Sequence, residues 1–458
     1  MSIPDRTSVR RYAVTLALLW LPGLAAATTQ PPHSHPAALA ARASADPQNS
    51  AADDAPGAGA LAASELVAQV LERNPGFSAM RSAVQAADAQ IYPAGALEDP
   101  TLTFGLAPET LASNQVDLRE VGQISQAIPW PGTLRLKRSV ARSLAESAAQ
   151  QAEDFRLQLA AKARAAYAQW DYVHCAMAIN ERNQTLLKRL TQVAETAYAS
   201  GQAPEQDVLQ AEVESTRLQN QALELERRRR QVQAAINGLL NREPDAPLPP
   251  PAGLPSTQIL PGFSQLRAAA LARYPQLKSL DAEIAARKNQ VSLARKKYYP
   301  DFRLFADYRG VMDPPVKRWT AGVAINLPFD LKKRNAWLDQ ANAELHQSQS
   351  QWQDAWARLL SELQQAYAAA EQARQTLRLY DDRLLPLSRL NLQAAEADYS
   401  SSGGSFLNLI TAEQRYLDAD LEQAAAQATL FTQLATLDYQ TGGALFPAPP
   451  APAQDAQP

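Results

Sequence analysis

The chain has one cysteine, four histidines and few glycines, 18 against 32 prolines. With Cys175 alone there is no intramolecular disulfide framework, no CxxC pair and no Cys/His zinc set. The sequence contains no phosphate-cradling glycine loop and no Gly-x-Ser-x-Gly elbow. The formal net charge is −3, from 44 Lys and Arg against 47 Asp and Glu, so a basic footprint for nucleic acid is missing. Beyond the first thirty or so positions no apolar stretch approaches the roughly 20 residues that a membrane helix needs. Aromatic residues are scarce at 7%, while Ala, Gln, Leu, Arg and Glu are frequent. That balance suits long helices packed through small side chains.

The N-terminus reads as an export signal. Arg6, Arg10 and Arg11 precede an apolar run from Tyr12 to Leu24, and Ala25-Ala26-Ala27 supplies the small-residue cleavage site, so residues 1–27 are expected to be removed. No cysteine follows the run, which excludes lipid attachment there. Residues 28–60 and 444–458, rich in Pro, Ala, Ser or Asp, are expected as a disordered linker and a disordered tail. His33 and His35 fall in that linker and are read as incidental rather than as a metal site. Residues 242–261 form a Pro-rich linker.

The strongest signal is internal repetition. Leu66, Ala68, Leu71, Arg73 and Pro75 recur as Leu266, Ala268, Leu271, Arg273 and Pro275. Pro100 recurs as Pro300, and Ala166-Tyr167 as Ala366-Tyr367. With a one-residue slip, Ile128-Pro129-Trp130 matches Leu327-Pro328-Phe329, and Tyr198, Ala211 and Glu212 match Tyr399, Ala412 and Glu413. Two repeats are therefore expected, 61–241 and 262–443, on one plan.

In each, one helix (62–91 or 263–297) leads to two extended runs. A much longer helix follows (134–199 or 333–399), on the order of 100 Å at 1.5 Å per residue. A Gly/Ser turn and a return helix complete the hairpin. Pro386 is the expected kink of the second long helix.

The extended runs alternate. Trp319, Val323, Ile325 and Leu327 share one face against Thr320, Gly322, Ala324 and Asn326, and Leu102, Phe104 and Leu106 alternate with Thr101, Thr103 and Gly105. A tilted membrane strand needs about 9 to 11 residues with one face to lipid. Trp130, Tyr298, Tyr299, Trp319 and Phe329 sit at the ends of these runs, where interfacial aromatics belong. Gln126 interrupts the apolar face of the run 122–129. A soluble two-stranded patch with surface aromatics would carry some of the same features.

Four strands cannot close a barrel, and open edges are not tolerated in lipid. A membrane reading therefore needs further copies, and three would supply twelve strands. Small residues along the first long helix (Ala141, Ala145, Ala148, Ala149, Ala152, Ala160) permit close helix approach but leave too little bulk for a self-sufficient core. The fold class expected is mainly α with a small β part: duplicated coiled-coil hairpins and four transmembrane strands per chain, giving a trimeric 12-stranded barrel continued by a periplasmic helical barrel.

These residues resemble the TolC-like family of outer-membrane efflux proteins across the mature chain. The resemblance rests on the Asn74-Pro75 and Asp99-Pro100 turns, on Gln126-Ala127-Ile128-Pro129-Trp130-Pro131-Gly132 and on the Tyr198-x-x-Gly201 tip. The Pro-Trp-Pro-Gly form is most similar to the CzcC-like, heavy-metal branch. The resemblance implies a homotrimer in outer-membrane lipid with a long periplasmic extension, docked to a periplasmic adaptor (membrane fusion protein) and an inner-membrane resistance-nodulation-division pump. It places adaptor contact at the tips Gly201, Gln202, Ala203, Pro204 and Ser402, Gly403, Gly404, Ser405.

In TolC two acidic residues ring the pore constriction; the corresponding positions here are Asn408 and Thr411, leaving Asp207 as a substitute. No enzyme activity, cofactor or resident metal is expected. His174-Cys175 diverge on a helix and His346 stands alone. The Arg227-Arg228-Arg229-Arg230 run is expected to pair with Glu224 and Glu226 on its own helix. A duct for drug efflux or polypeptide secretion uses the same architecture, and a soluble periplasmic coiled-coil protein is the remaining alternative.

Overall fold

The computed structural model describes residues 59–108, 118–255, 260–309, 319–401 and 404–446. The expected signal peptide, most of the 28–60 linker with His33 and His35, and tip residues Ser402 and Gly403 lie outside them.

The element order is written twice. The first pass is α1 (Ala63–Arg73), α2 (Pro75–Ala89), the short α3 (Ile91–Ala94), β1 (Thr101–Pro108), β2 (Leu118–Ile128), α4 (Thr133–Ala199) and α5 (Glu205–Leu239). The second is α6 (Phe263–Arg273), α7 (Pro275–Lys296), β3 (Phe302–Arg309), β4 (Trp319–Ile325), α8 (Leu331–Leu379), a π-helical turn Tyr380–Leu384, α9 (Leu385–Ser400) and α10 (Phe406–Gln440). No glycine or proline interrupts the 67 residues of α4, so nothing in its backbone chemistry stops it.

Where one leading helix was expected in each repeat, the helix breaks after Arg73 and after Arg273. Asn74 and Tyr274 adopt extended backbone (ψ 118° in both) because the following proline ring excludes the helical region for its predecessor. Pro75 and Pro275 then open new helices, where a missing N–H costs nothing. Asn74 accepts from Phe77 N through Oδ1 and donates from Nδ2 to Leu239 O at the end of α5. Tyr274 holds the equivalent corner differently, sharing a 2.9 Å hydroxyl–hydroxyl hydrogen bond with Tyr439.

The expected kink at Pro386 is taken up just upstream. Leu385 N bonds Tyr380 O, an i to i−5 bond that widens one turn before the proline. Side chains of α10 hold this turn: Glu422 accepts from the Tyr380 hydroxyl and Gln423 donates to Asp381.

Two related cores bind the helices. Leu66, Val67 and Val70 of α1 pack with Leu159, Ala163, Tyr167 and Trp170 of α4 and with Ile236 and Leu240. Leu266, Ala270, Tyr274 and Leu277 pack correspondingly with Leu359, Leu363, Ala366 and Ala370 of α8. The stretch after α5 lies against the first core: Leu61 bridges Pro251, Trp170 Nε1 donates to Pro249 O, and the Tyr167 hydroxyl sits 2.9 Å from Leu61 O and 3.1 Å from Gly253 O.

Residues 444–446, placed in the expected disordered tail, are held against α10. The amides of Leu445 and Phe446 both donate to Asp438 Oδ1, and the Phe446 ring packs on Phe431. A buried carboxylate at the end of α10 captures backbone that composition alone marks as loose.

Candidate functional site

The four strands form one antiparallel sheet in the order β1-β2-β3-β4, so β1 and β4 are its free edges. The pairing joins the two repeats through β2 and β3, with Ile124 opposite Ala306 and Ile128 opposite Phe302. Because side chains alternate along a strand, the register sorts the sheet into two faces.

Leu102, Phe104, Gly122, Ile124, Ile128, Phe302, Leu304, Ala306, Tyr308, Trp319, Ala321, Val323 and Ile325 fall on one face. Thr101, Thr103, Gly105, Gln123, Ser125, Arg303, Asp307, Thr320 and Gly322 fall on the other, together with Phe305. The first face carries large apolar groups left open: Phe104 is 79% exposed, Trp319 72% and Leu102 60%. Gln126, the apparent interruption, donates its amide to Glu98 O at 2.7 Å and so does not present a free donor there. On the polar face Gly322 leaves room for the Phe305 ring, which would meet a Cβ at 2.9 Å or less.

The aromatics expected at the strand ends gather at two levels. Trp130 stacks on Tyr299 at 4.9 Å and on Phe302 at 5.9 Å, beside the strand-to-helix junction. The Tyr298 hydroxyl donates to Asn335 in that junction, and Phe329 stands 83% exposed there. Trp319 packs on Tyr308 at 4.9 Å at the opposite end of β3 and β4. Six residues of strand separate the two levels, about 20 Å.

At the other end of the helices lie the tips. Gly201 has φ +73°, and the amides of Gln202 and Ala203 return to Ala197 O at 2.8 and 3.2 Å. Pro204, in extended backbone, then precedes α5 as its N-cap. In the second tip Gly404 N bonds Asp398 O, and Ser405 caps α10 by accepting from Leu407 N. Gly201, Gln202, Pro204 and Ser405 are exposed. The two repeats meet just behind the tips: the Tyr399 hydroxyl is 3.2 Å from Asp207 Oδ2, and its ring packs edge-on to Phe406. Burial and Asp207 hold the Tyr399 phenol up at about 12, so it keeps its proton and donates.

Of the constriction positions, Asn408 is exposed, Thr411 donates to its own helix at Leu407 O, and Asp207 is half-buried at Tyr399. The structure brings Asp207 to the seam between repeats, at Tyr399. Glu413, legible in the sequence only as the acidic residue after the second tip, is fully buried.

The remaining polar features resolve within helices. His174 Nδ1 lies 2.9 Å from Trp170 O and its ring stands edge-on to Trp170. Cys175 faces Asp171 across 4.0 Å, and His346 is exposed. Among the described residues no group of three His, Cys, Asp or Glu could hold a metal ion. Glu226 takes both Arg229 and Arg230, whose hydrogen bonds pull its carboxyl down to about 2. Contrary to the expected pairing with Glu224, Arg228 turns to Gln169 and the Tyr172 ring on α4, and Arg227 bonds Gln231. Among the described residues no helix is long and apolar enough to cross a membrane.

Comparison with known proteins agrees with this geometry. Residues 266–443 match the model of the family described as outer membrane efflux protein. No curated protein matches the chain. Among solved structures, the outer-membrane channel OprN is 21% identical with a TM-score of 0.73, covering 84% of this chain and 91% of that one. The open-state MtrE channel of Neisseria gonorrhoeae is 20% identical (TM-score 0.71; 84% and 89% covered). CusC, whose transmembrane channel formation has been described, is 16% identical (TM-score 0.73; 83% and 92% covered). The second repeat thus carries the outer membrane efflux protein pattern, and the chain as a whole has the fold of outer-membrane channel subunits.

Proposed function

We propose that this chain is one subunit of a homotrimeric outer-membrane exit duct, a passive conduit rather than an enzyme, through which an inner-membrane pump discharges its cargo. The observation that carries the reading is the sheet: one face exposes large apolar side chains, the other is polar, and both edges are free. Such a sheet needs lipid on one side, water on the other and further copies at its edges. Three copies make a twelve-stranded barrel, and the helical hairpins continue it across the periplasm. The tips Gly201 to Pro204 and Ser402 to Ser405 are where an adaptor of the membrane fusion type docks, linking the duct to a resistance-nodulation-division pump. The likeness to OprN, CusC and MtrE supports the fold on which this rests.

Heavy-metal cations are the cargo favoured by the similarity of Pro129-Trp130-Pro131-Gly132 to the CzcC-like branch, with cobalt, zinc and cadmium or copper and silver as candidates. Asn408 and Thr411 leave the neck neutral, and Asp207 is the carboxylate that would substitute there. Selection of cargo belongs to the pump; the duct passes metal without holding it.

The test is the mass in detergent, by light scattering, of protein extracted from the outer-membrane fraction after expression with its own N-terminal segment. A trimer in that fraction is the expected result. A soluble periplasmic monomer overturns the duct and leaves a helical structural protein.

A further inference from the structure

Behind the tips, α5 and α10 meet in a cluster of buried side chains. Ala211 and Leu218 come from α5, Phe406, Leu409, Ile410, Ala412 and Leu417 from α10, and Ile179, Leu187, Leu190 and Ala194 from α4. Within this apolar region Glu413 of α10 has no exposed surface, and neither of its carboxylate oxygens has a hydrogen-bond donor. Across the seam another carboxylate acts on it, Glu214 of α5, itself only 4% exposed. Its two oxygens are already taken by Arg217 Nε and Gln414 Nε2, each at 2.7 Å. Gln210, one turn earlier on α5, also has a buried amide oxygen without a donor.

No donor bonds the Glu413 carboxylate. The charged groups acting on Glu413 are Glu214 and Arg217 from α5 and Asp418 from its own helix. From α4 and α9 the cluster receives apolar side chains and Tyr399, whose hydroxyl is engaged by Asp207. Further along, Arg182 of α4 is paired with Asp420. A bare carboxylate here is buried beside a like charge with nothing to bond, the arrangement folding tolerates least. One proton removes the charge and turns an orphan acceptor into a donor.

We propose that Glu413 is a proton-binding site that locks the seam between the two hairpins: protonated, it lets α5 and α10 stay packed, and loss of its proton to water drives them apart. Burial first, then Glu214, holds the Glu413 carboxyl up at about 7 against an ordinary 4.5, so the change falls in the neutral range. The folded seam binds the extra proton, so its stability is complete below the ordinary carboxyl value and is lost as pH rises through about 7. The seam's role as the neck of a duct rests on the function proposed above; the proton site does not.

The test is hydrogen exchange of the full-length protein in detergent, corrected for the intrinsic pH dependence of exchange and followed in peptides covering 406–420. Between about pH 6 and pH 8 protection is expected to fall by about tenfold in the natural protein. Glu413→Gln, a permanent mimic of the protonated acid, should stay protected throughout, and Glu214→Gln, which removes the like charge that raises Glu413, should move the transition to lower pH. Equal pH profiles for the natural protein and Glu413→Gln overturn the proposal. Infrared difference spectra give a second reading on the unaltered protein: a protonated-carboxyl band that disappears near neutral pH is expected, and its absence at acid pH overturns the site. Neither measurement depends on where the protein resides.

Discussion

Asp438 joins the two repeats at a point where the cost of removing it can be worked out. It is 1% exposed; Oδ2 accepts from Arg164 Nη1 of α4 at 2.8 Å, and Oδ1 accepts the amides of Leu445 and Phe446 at 2.8 and 2.9 Å. Arg164 is 8% exposed and also lies 4.3 Å over the Phe446 ring. Burial lowers the Arg164 pKa and Asp438 opposes that, so the guanidinium depends on this partner. Asp438→Asn keeps an acceptor for the amides but strands the buried cation, a loss of about 3 to 5 kcal/mol. Asp438→Leu also orphans two amides, each costing about 1 to 3 kcal/mol, although the losses will not simply add. The double variant Arg164→Met with Asp438→Leu removes the stranded charge and should recover most of the pair's share. Melting of the helical circular dichroism, at fixed protein and detergent concentration, ranks the three. The reasoning fails if Asp438→Asn melts with the natural protein, or if the double variant is no better than Asp438→Leu.

The sheet faces make a paired prediction: Phe104→Lys should keep the protein out of the outer-membrane fraction, at a cost of about 2 to 4 kcal/mol near the bilayer midplane, while Thr103→Lys next to it is tolerated. Fractionation of the two variants decides it, and equal behaviour would show the faces to be misassigned. Tyr399→Phe removes the hydrogen bond to Asp207, worth about 1 kcal/mol, and should raise single-channel conductance in planar bilayers with little change in melting. Gly442, at φ +71° with a would-be Cβ 2.7 Å from Arg273 O, has no room for a side chain. Gly442→Ala should therefore lower the melting midpoint by the equivalent of about 1 to 3 kcal/mol or more.

Much of this architecture was legible because its signals are periodic. A run of 67 residues without glycine or proline can hardly be anything but helix, and strict alternation in Trp319–Ile325 sets the face of every residue once pairing is known. The breaks at Asn74 and Tyr274 were written in the following prolines, yet a proline also suits a first turn, and periodicity alone joined what the backbone separates. The order at Leu445 and Phe446 was not legible because their anchor, Asp438, stands several residues upstream and acts through backbone amides that composition does not reveal. Glu413 shows the limit most clearly. Ala211-Glu212 and Ala412-Glu413 are matching pairs in the two repeats, but Glu212 is exposed and Glu413 is enclosed. What separates them is the number of neighbouring helices: α10 packs against α4, α5, α8 and α9, and that is a property of the assembled hairpins.

The strand order has a consequence in counting. With an even number of strands alternating in direction, β1 and β4 run opposite ways along the sheet. When the last strand of one copy meets the first strand of the next, the junction repeats the antiparallel pattern found inside each copy. Any whole number of copies therefore closes without a mismatched seam, and parity imposes no choice among rings of different size. In the proposed duct the number of copies must therefore be decided by something other than strand parity.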